Sequence, residues 1–101
     1  MKGAPIDKAL CEYLKKYRRG QESAASSREL EAAFPIAGVE LRRAVNRLRY
    51  SGYPICSSAT GYFYAARPSE ISATIAQLTG RISKITTAKN GLLKSYQEKE
   101  E

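Results

Sequence analysis

Hydrophobic residues recur at helical spacing at the start of the chain. Apolar positions step by i, i+4, i+7, i+8 and i+11, which is one face of a 3.6-residue period. They are Ile6, Leu10, Tyr13, Leu14 and Tyr17. The pattern predicts an amphipathic helix over about residues 5–19 that ends before Gly20.

A second helix is predicted from a capping signal. Ser26 and Glu29 stand in the S-x-x-E arrangement that satisfies free backbone donors at a helix start. The helix should run from Ser27 to Phe34, because Pro35 disfavours helical geometry in the residue before it. Only the four residues "PIAG" separate it from the next periodic segment, which indicates a helix, a tight turn and a helix.

The third predicted helix, Gly38 to Ser51, has two contrasting faces, and Gly52 should end it. At 100° per residue its inner side carries Leu41, Ala44, Val45 and Leu48. Its outer side carries Val39, Arg43, Asn46, Arg47 and Tyr50, with Arg42 and Arg49 on the flank. The helix should therefore pack through an apolar stripe and present cations outward.

Two short segments after this helix have the composition of a β-hairpin. "YPICSS" and "YFYAA" are rich in β-branched or aromatic residues and are separated by "ATG". We expect Ile55, Tyr62 and Tyr64 to face inward and Phe63 outward, although a slip of one residue would reverse the assignment. Because both strands are short, the hairpin needs the helices behind it for stability.

A heptad pattern follows Pro68. The positions step by 4, 3, 4, 3, 4, 3 and 4 through Ile71, Ile75, Leu78, Ile82, Ile85, Lys89, Leu92 and Tyr96. One interpretation is a helix packed on its own domain, and the other is self-association. We favour a homodimer, because the helix is too long for so small a globule. Its expected seam is Ile71, Ile75, Leu78, Ile82, Ile85 and Leu92.

The charge of the chain is positive and unevenly distributed. Of a formal net charge of +7, residues 1–67 carry 12 Lys/Arg against 6 Asp/Glu, and residues 68–101 carry 5 against 4. A positive field attracts polyanions such as nucleic acid. A solubilising surface is the alternative. With 101 residues, the chain fits one domain with a modest core.

Several other classes of protein lack their signatures in this sequence. The 2 cysteines, Cys11 and Cys56, are too few for a disulfide scaffold, and no histidine is present for acid–base chemistry or zinc. No phosphate-binding loop or apolar run of membrane-spanning length occurs. We therefore expect no enzyme, metal, cofactor, small-molecule ligand or membrane association, and a cytoplasmic location.

The order of elements and several motifs resemble a winged helix-turn-helix domain. The resemblance covers roughly residues 5–67 and is carried by the S-R-E-L start of the second helix, the L-R-R-x-V-x-x-L run and "GYPI…GYFY". It is to the biotin-repressor type of bacterial regulator and, more closely, to small phage and prophage proteins. Ala37 and Pro35 depart from that pattern, because a capping Ser or Thr and a turn Gly are usual there.

The resemblance implies an α+β, mostly helical fold. A winged helix-turn-helix domain would span residues 1–67 and a long helix residues 68–97, with a disordered tail at residues 98–101. The third helix would enter the major groove of double-stranded DNA. Base contacts would come from Val39, Arg42, Arg43, Asn46 and Arg47. Phosphate contacts would come from Ser27, Arg28, Arg49, Tyr50, Ser58, Thr60 and Arg67.

We favour DNA binding as the function, for transcriptional regulation or at a replication origin. The alternative is a winged-helix module that docks to proteins without sequence-specific DNA binding. The hairpin tip, residues 57–61, has no lysine or arginine, so it should add little to the salt dependence of binding.

Overall fold

The computed structural model describes the backbone of residues 6–100 and the side chains of residues 6–97. This part of the chain is α+β and mostly helical, as predicted. The elements in order are α1 (Asp7–Tyr17), a short 3-10 helix (Gln21–Ser23), α2 (Ser27–Ala33), α3 (Gly38–Tyr50), β1 (Ile55–Ser58), β2 (Gly61–Tyr64) and α4 (Pro68–Glu100).

The chain between α1 and α2 pairs with the free edge of β2. Tyr64 donates its N–H to the carbonyl of Arg18, and Gly20 donates to the carbonyl of Tyr64, each at 2.8 Å. Ala25 and Tyr62 exchange two further backbone hydrogen bonds. This pairing explains why α1 ends at Tyr17, earlier than predicted, since the next residues are extended.

Gly61 stands where this linking segment approaches the hairpin most closely. Its φ angle is 138°, a backbone conformation that residues with a side chain rarely adopt. A Cβ atom built at Gly61 would collide with the backbone carbonyl of Ala25. A glycine at the first position of β2 is therefore required by packing.

The caps of α2 and α3 follow the predicted pattern. Ser26 and Glu29 form the complete capping box, with the Ser26 hydroxyl accepting from the N–H of Glu29 at 3.1 Å. At the start of α3, Ala37 supplies no side-chain cap. At its end, Gly52 has a φ of 93°, and the N–H of Tyr53 returns to the carbonyl of Leu48. Gly52 thus terminates α3 as expected.

The main core lies between α1, α2, α3 and one face of the hairpin. The predicted inner stripe of α3 is buried in it: Leu41, Ala44, Val45 and Leu48. Ile55 is buried against the same cluster, and Tyr62 and Tyr64 are half-buried there. The inward assignment of these three hairpin residues is confirmed.

The prediction that Phe63 faces outward is wrong. Phe63 is only 2% exposed and forms a second cluster with Cys56 and Ala65. The first turns of α4 lie against β1, so the second face of the hairpin is also covered. The predicted alternation along β2 is correct, since Phe63 lies on the opposite face from Tyr62 and Tyr64. The error was to expect that this second face is exposed.

α4 is attached to the domain only through its first turns. The buried Glu70 carboxylate accepts from the N–H groups of Gln21, Ala66 and Arg67. Thr74 is also buried and contacts Ser57. Beyond Leu78, every described side chain of α4 is exposed.

α4 is longer than predicted. It contains 33 residues and continues to Glu100, three residues past the expected end at residue 97, so it is about 50 Å long. The final residue of the expected tail lies outside the described residues, as do residues 1–5 of the expected N-terminal domain. No helix in the described part of the chain has both the length and the apolar character needed to cross a membrane.

Candidate nucleic-acid interface

The outer face of α3 is exposed and carries polar and cationic side chains. Arg42, Arg43 and Asn46 are exposed, as is Val39 on the first turn. Tyr50, at the end of the helix, is 84% exposed. The apolar stripe on the opposite side fixes this orientation, because rotating α3 would expose Leu41 and Val45.

Arg43 has a carboxylate close by but is held only weakly. Its Nη1 lies 3.9 Å from Oε2 of Glu40, one turn earlier on α3, and both side chains are more than half exposed. An exposed pair at this distance contributes little to stability. The Arg43 guanidinium can therefore leave Glu40 for another anion.

Arg47 is bound to an acidic residue of another helix. Its Nε donates to Oδ2 of Asp7 at 2.8 Å, and its Nη2 donates to Oδ1 at 3.0 Å. Asp7 lies in the first turn of α1. This two-point pair raises the pKa of Arg47 through the hydrogen bond, and it occupies the fork with which Arg47 was expected to contact a base.

Arg49 joins α3 to the hairpin. It is half-buried, its Nε donates to the carbonyl of Ile55 at 2.8 Å, and its Nη2 lies 3.2 Å from Oγ of Ser57. Burial lowers the pKa of Arg49. Arg49 therefore holds β1 against α3. This structural role was not predicted; the sequence predicted only a phosphate contact for Arg49.

Arg67 is compensated by two carboxylates. Its Nη2 lies 2.9 Å from Oε2 of Glu22, and its Nη1 pairs with Glu70. The pKa values of both carboxyl groups are lowered, first by backbone hydrogen bonds and also by Arg67. The structure thus uses Arg67 to attach α4 and the 3-10 helix to each other.

The remaining expected phosphate contacts are available at the surface. Ser27 and Arg28 are exposed in the first turn of α2. At the hairpin tip, the hydroxyl groups of Ser58 and Thr60 lie 3.0 Å apart and hydrogen bond to each other.

A polar groove of about 340 Å³ separates the hairpin tip from α4. Its walls include Ser27, Ser58, Thr60, Arg49 and Arg81. Arg81 was not among the residues predicted for the site. The spacing along α4 could have identified it. Glu70, Thr74, Gln77 and Arg81 follow one another at intervals of 4, 3 and 4 residues, so they lie on one side of the helix, the side that contacts the hairpin.

A larger cleft of about 730 Å³ lies between α1 and the end of α3, on the Arg47 side. Cys11 lies in its wall, and burial raises the pKa of the Cys11 thiol. Cys11 and Cys56 are both free and buried. Among the described residues, no group of His, Cys, Asp and Glu side chains could hold a metal ion.

The heptad stripe of α4 is uncovered in the single chain. Its exposed fractions are 38% for Ile71, 56% for Ile75, 64% for Ile82, 65% for Ile85 and 75% for Leu92. Leu78, the remaining member of the expected seam, is half-buried. Ile71, Ile75 and Leu78 line a groove against the start of β1, and the stripe beyond Leu78 is open.

Comparison with known proteins identifies no relative. Neither protein-family models, nor curated proteins, nor solved structures give a match to this chain.

Proposed function

We propose that this protein is a winged helix-turn-helix protein that binds double-stranded DNA by inserting α3 into the major groove. The observation that supports the proposal most strongly is the exposed outer face of α3, where Arg42, Arg43 and Asn46 stand together with Glu40 as the one acidic residue of the helix. A solvated helix ordinarily mixes charges of both signs.

The proposed base contacts are Arg42, Arg43, Asn46 and Val39. Arginine forks onto guanine O6 and N7, and the asparagine amide matches adenine. Val39 has the apolar character that suits a thymine methyl group. Arg47 is removed from the principal contacts because the Asp7 carboxylate compensates its charge.

The proposed phosphate contacts are Ser27, Arg28, Tyr50, Ser58 and Thr60. Arg67 is left out because Glu22 and Glu70 compensate its charge. Of the proposed phosphate contacts, only Arg28 carries a charge, and neutral hydroxyl groups do not release counterions. If arginine and lysine side chains of the bound dimer neutralise about five phosphates in all, log K should fall against log salt with a slope of about −4.5.

The test is a salt titration of binding to a fluorescent duplex. Arg43→Ala and Asn46→Ala should lose the preference for a selected site while retaining binding to random duplex. Lys84→Ala, which removes a charge from the exposed part of α4, is the control. Near-zero salt dependence of the unaltered protein would contradict the proposal and favour a protein-docking module, since counterion release accompanies every mode of DNA binding.

We also propose that two chains associate through the α4 stripe, which would present two copies of α3 to one duplex. Ile82→Glu should give a monomer, because it buries a charge in the seam, whereas Lys84→Glu changes the charge on another side of the same helix and should not. Analytical sedimentation measures both. These substitutions are preferable to truncation, because removing α4 would also remove the helix that packs on β1 and the buried Glu70 carboxylate. A monomeric unaltered chain would contradict the dimer.

A further inference from the structure

The groove between the hairpin tip and α4 has the features of an anion site. Arg49 of α3 and Arg81 of α4 both line it, together with Ser58 and Thr60 of the hairpin tip. Hydroxyl groups and guanidinium groups are the donors that proteins use for phosphate oxygens.

The positive charge of this groove is not compensated. Among the described side chains, no ion pair involves Arg49 or Arg81, whereas Arg47 and Arg67 each have a carboxylate within 3 Å. Burial is the main cause of the lowered pKa of Arg49, and the nearby charge of Arg81 adds to it. Two neighbouring cations without an anion favour a negatively charged ligand.

One of the cations is already positioned. The hydrogen bonds from Arg49 to Ile55 and Ser57 fix its guanidinium. Gln77 of α4 donates to the carbonyl of Ser57 at 3.0 Å, which holds the helix that carries Arg81 against the same strand. Binding of a ligand would therefore cost little conformational entropy beyond the ordering of the Arg81 side chain.

The position of the groove suggests which anion occupies it. Arg49 and Arg42 are seven residues apart, two turns of α3, and stand on the same flank of the helix. The groove thus adjoins the face of α3 that we propose for base contacts. A duplex strand whose bases meet that face has its phosphates on the flank.

We infer that this groove binds a backbone phosphate of the duplex, with Arg81 as its principal ligand and Arg49 as the fixed cation beside it. The inference rests on the proposed DNA binding. It gives α4 a role in the interface, in addition to its proposed role in self-association, and it supplies the charge that the hairpin tip lacks.

The test compares Arg81→Gln with Lys84→Gln in the salt titration of the full-length chain. Each variant removes one positive charge from an exposed position of α4. Arg81→Gln should make the salt slope shallower by about 0.9 for each bound chain, the value of one phosphate contact, and Lys84→Gln should leave it unchanged. Arg81→Lys should recover much of the slope, because it restores the charge without the fork.

Two outcomes would overturn the inference. Equal slopes for Arg81→Gln and Lys84→Gln, with a steep slope for the unaltered chain, would remove the groove and leave the DNA proposal intact. A flat slope for the unaltered chain would remove both. Sedimentation and thermal melting of the two variants confirm that assembly and folding are unchanged.

A second arm separates backbone phosphate from free phosphate. Inorganic phosphate is titrated into the chain without DNA while the amide signals of Ser58 and Thr60 are followed by NMR. Weak shifts that disappear in Arg81→Gln, together with the change in salt slope, support a backbone site. Tight phosphate binding with no change in slope would show a site for a free anion and overturn the inference.

Discussion

The two flanks of α3 use the same residue type in opposite ways. On one flank, Arg47 is bound by both oxygens of Asp7, so its charge is compensated within the protein. On the other, Arg49 donates to a carbonyl and a hydroxyl, so its charge is retained, and Arg81 adds a second cation nearby. The positive field of the helix is therefore expected on the Arg42–Arg49 side and weakened on the Arg47 side.

The difference shows that the number of arginines on a helix does not give the charge available to a ligand. Arg43 is available because its pair with Glu40 is exposed and long. Arg47 and Arg67 are not, because carboxylates from other elements reach them at short distance. The comparison leads to three predictions.

The largest effect on stability is expected from Arg49→Ala. The substitution removes two hydrogen bonds. The carbonyl of Ile55 and the hydroxyl of Ser57 then lose the donor that Arg49 supplies to each of them. The expected loss is about 1–3 kcal/mol. Thermal melting should show a fall of about 4–8 °C for each kcal/mol in a domain of this size.

Arg43→Ala is the matched control for this prediction. It removes an exposed arginine from the same helix, and its effect on stability should stay within about 0.5 kcal/mol. If the two variants have the same melting temperature, the hydrogen bonds of Arg49 do not stabilise the fold. The proposed difference between the two flanks of α3 would then be contradicted.

A smaller effect is expected from acid, through the Glu70 carboxylate beside Arg67. The pKa of Glu70 is lowered in the folded state, first by the backbone N–H groups that it accepts. Its contribution to stability is thus present above the unfolded-state pKa and is lost as the pH falls through the folded-state pKa. Glu22 acts in the same direction.

The measurement is the melting temperature of the chain between pH 7 and pH 3. The drop should be smaller in Glu70→Gln than in the unaltered chain, because the variant has no carboxylate to protonate at this position. Glu12→Gln, on the exposed side of α1, should keep the full drop. An equal drop in all three proteins would contradict the assigned role of Glu70.

Local patterns were sufficient to predict most of the fold. The spacing of Leu41, Val45 and Leu48 correctly identified the buried side of α3, and the Ser26–Glu29 pair correctly identified the start of α2. Both signals act within one or two turns. The burial of the hairpin side that carries Phe63 could not be predicted in this way, because separate elements cover it: α4 packs on β1, and Ala24 packs against the cluster that contains Phe63.

The candidate site was less predictable, for the same physical reason. Whether Arg47 is free depends on Asp7, 40 positions away, and the state of Arg67 depends on Glu22, 45 positions away. A helical wheel gives the direction of a side chain but not its partner. Arg81 was accessible from the sequence, since its spacing to Glu70 and Thr74 is helical, but that spacing was outweighed by the heptad stripe beside it.

The smallest effect is expected from Asp7→Asn, which removes the carboxylate from the Arg47 flank and makes it resemble the other flank. The substitution removes the charge that compensates Arg47, so duplex binding should tighten modestly and the salt slope should steepen by up to about 0.9 for each bound chain, one phosphate contact. Glu12→Gln is the control, because it changes the net charge by the same amount on the same helix and does not contact Arg47. A larger effect of Asp7→Asn than of Glu12→Gln would therefore come from Arg47 and not from the higher net charge. If the two variants bind DNA alike, Asp7 has no specific influence on binding, and the pair with Arg47 serves only to join α1 to α3.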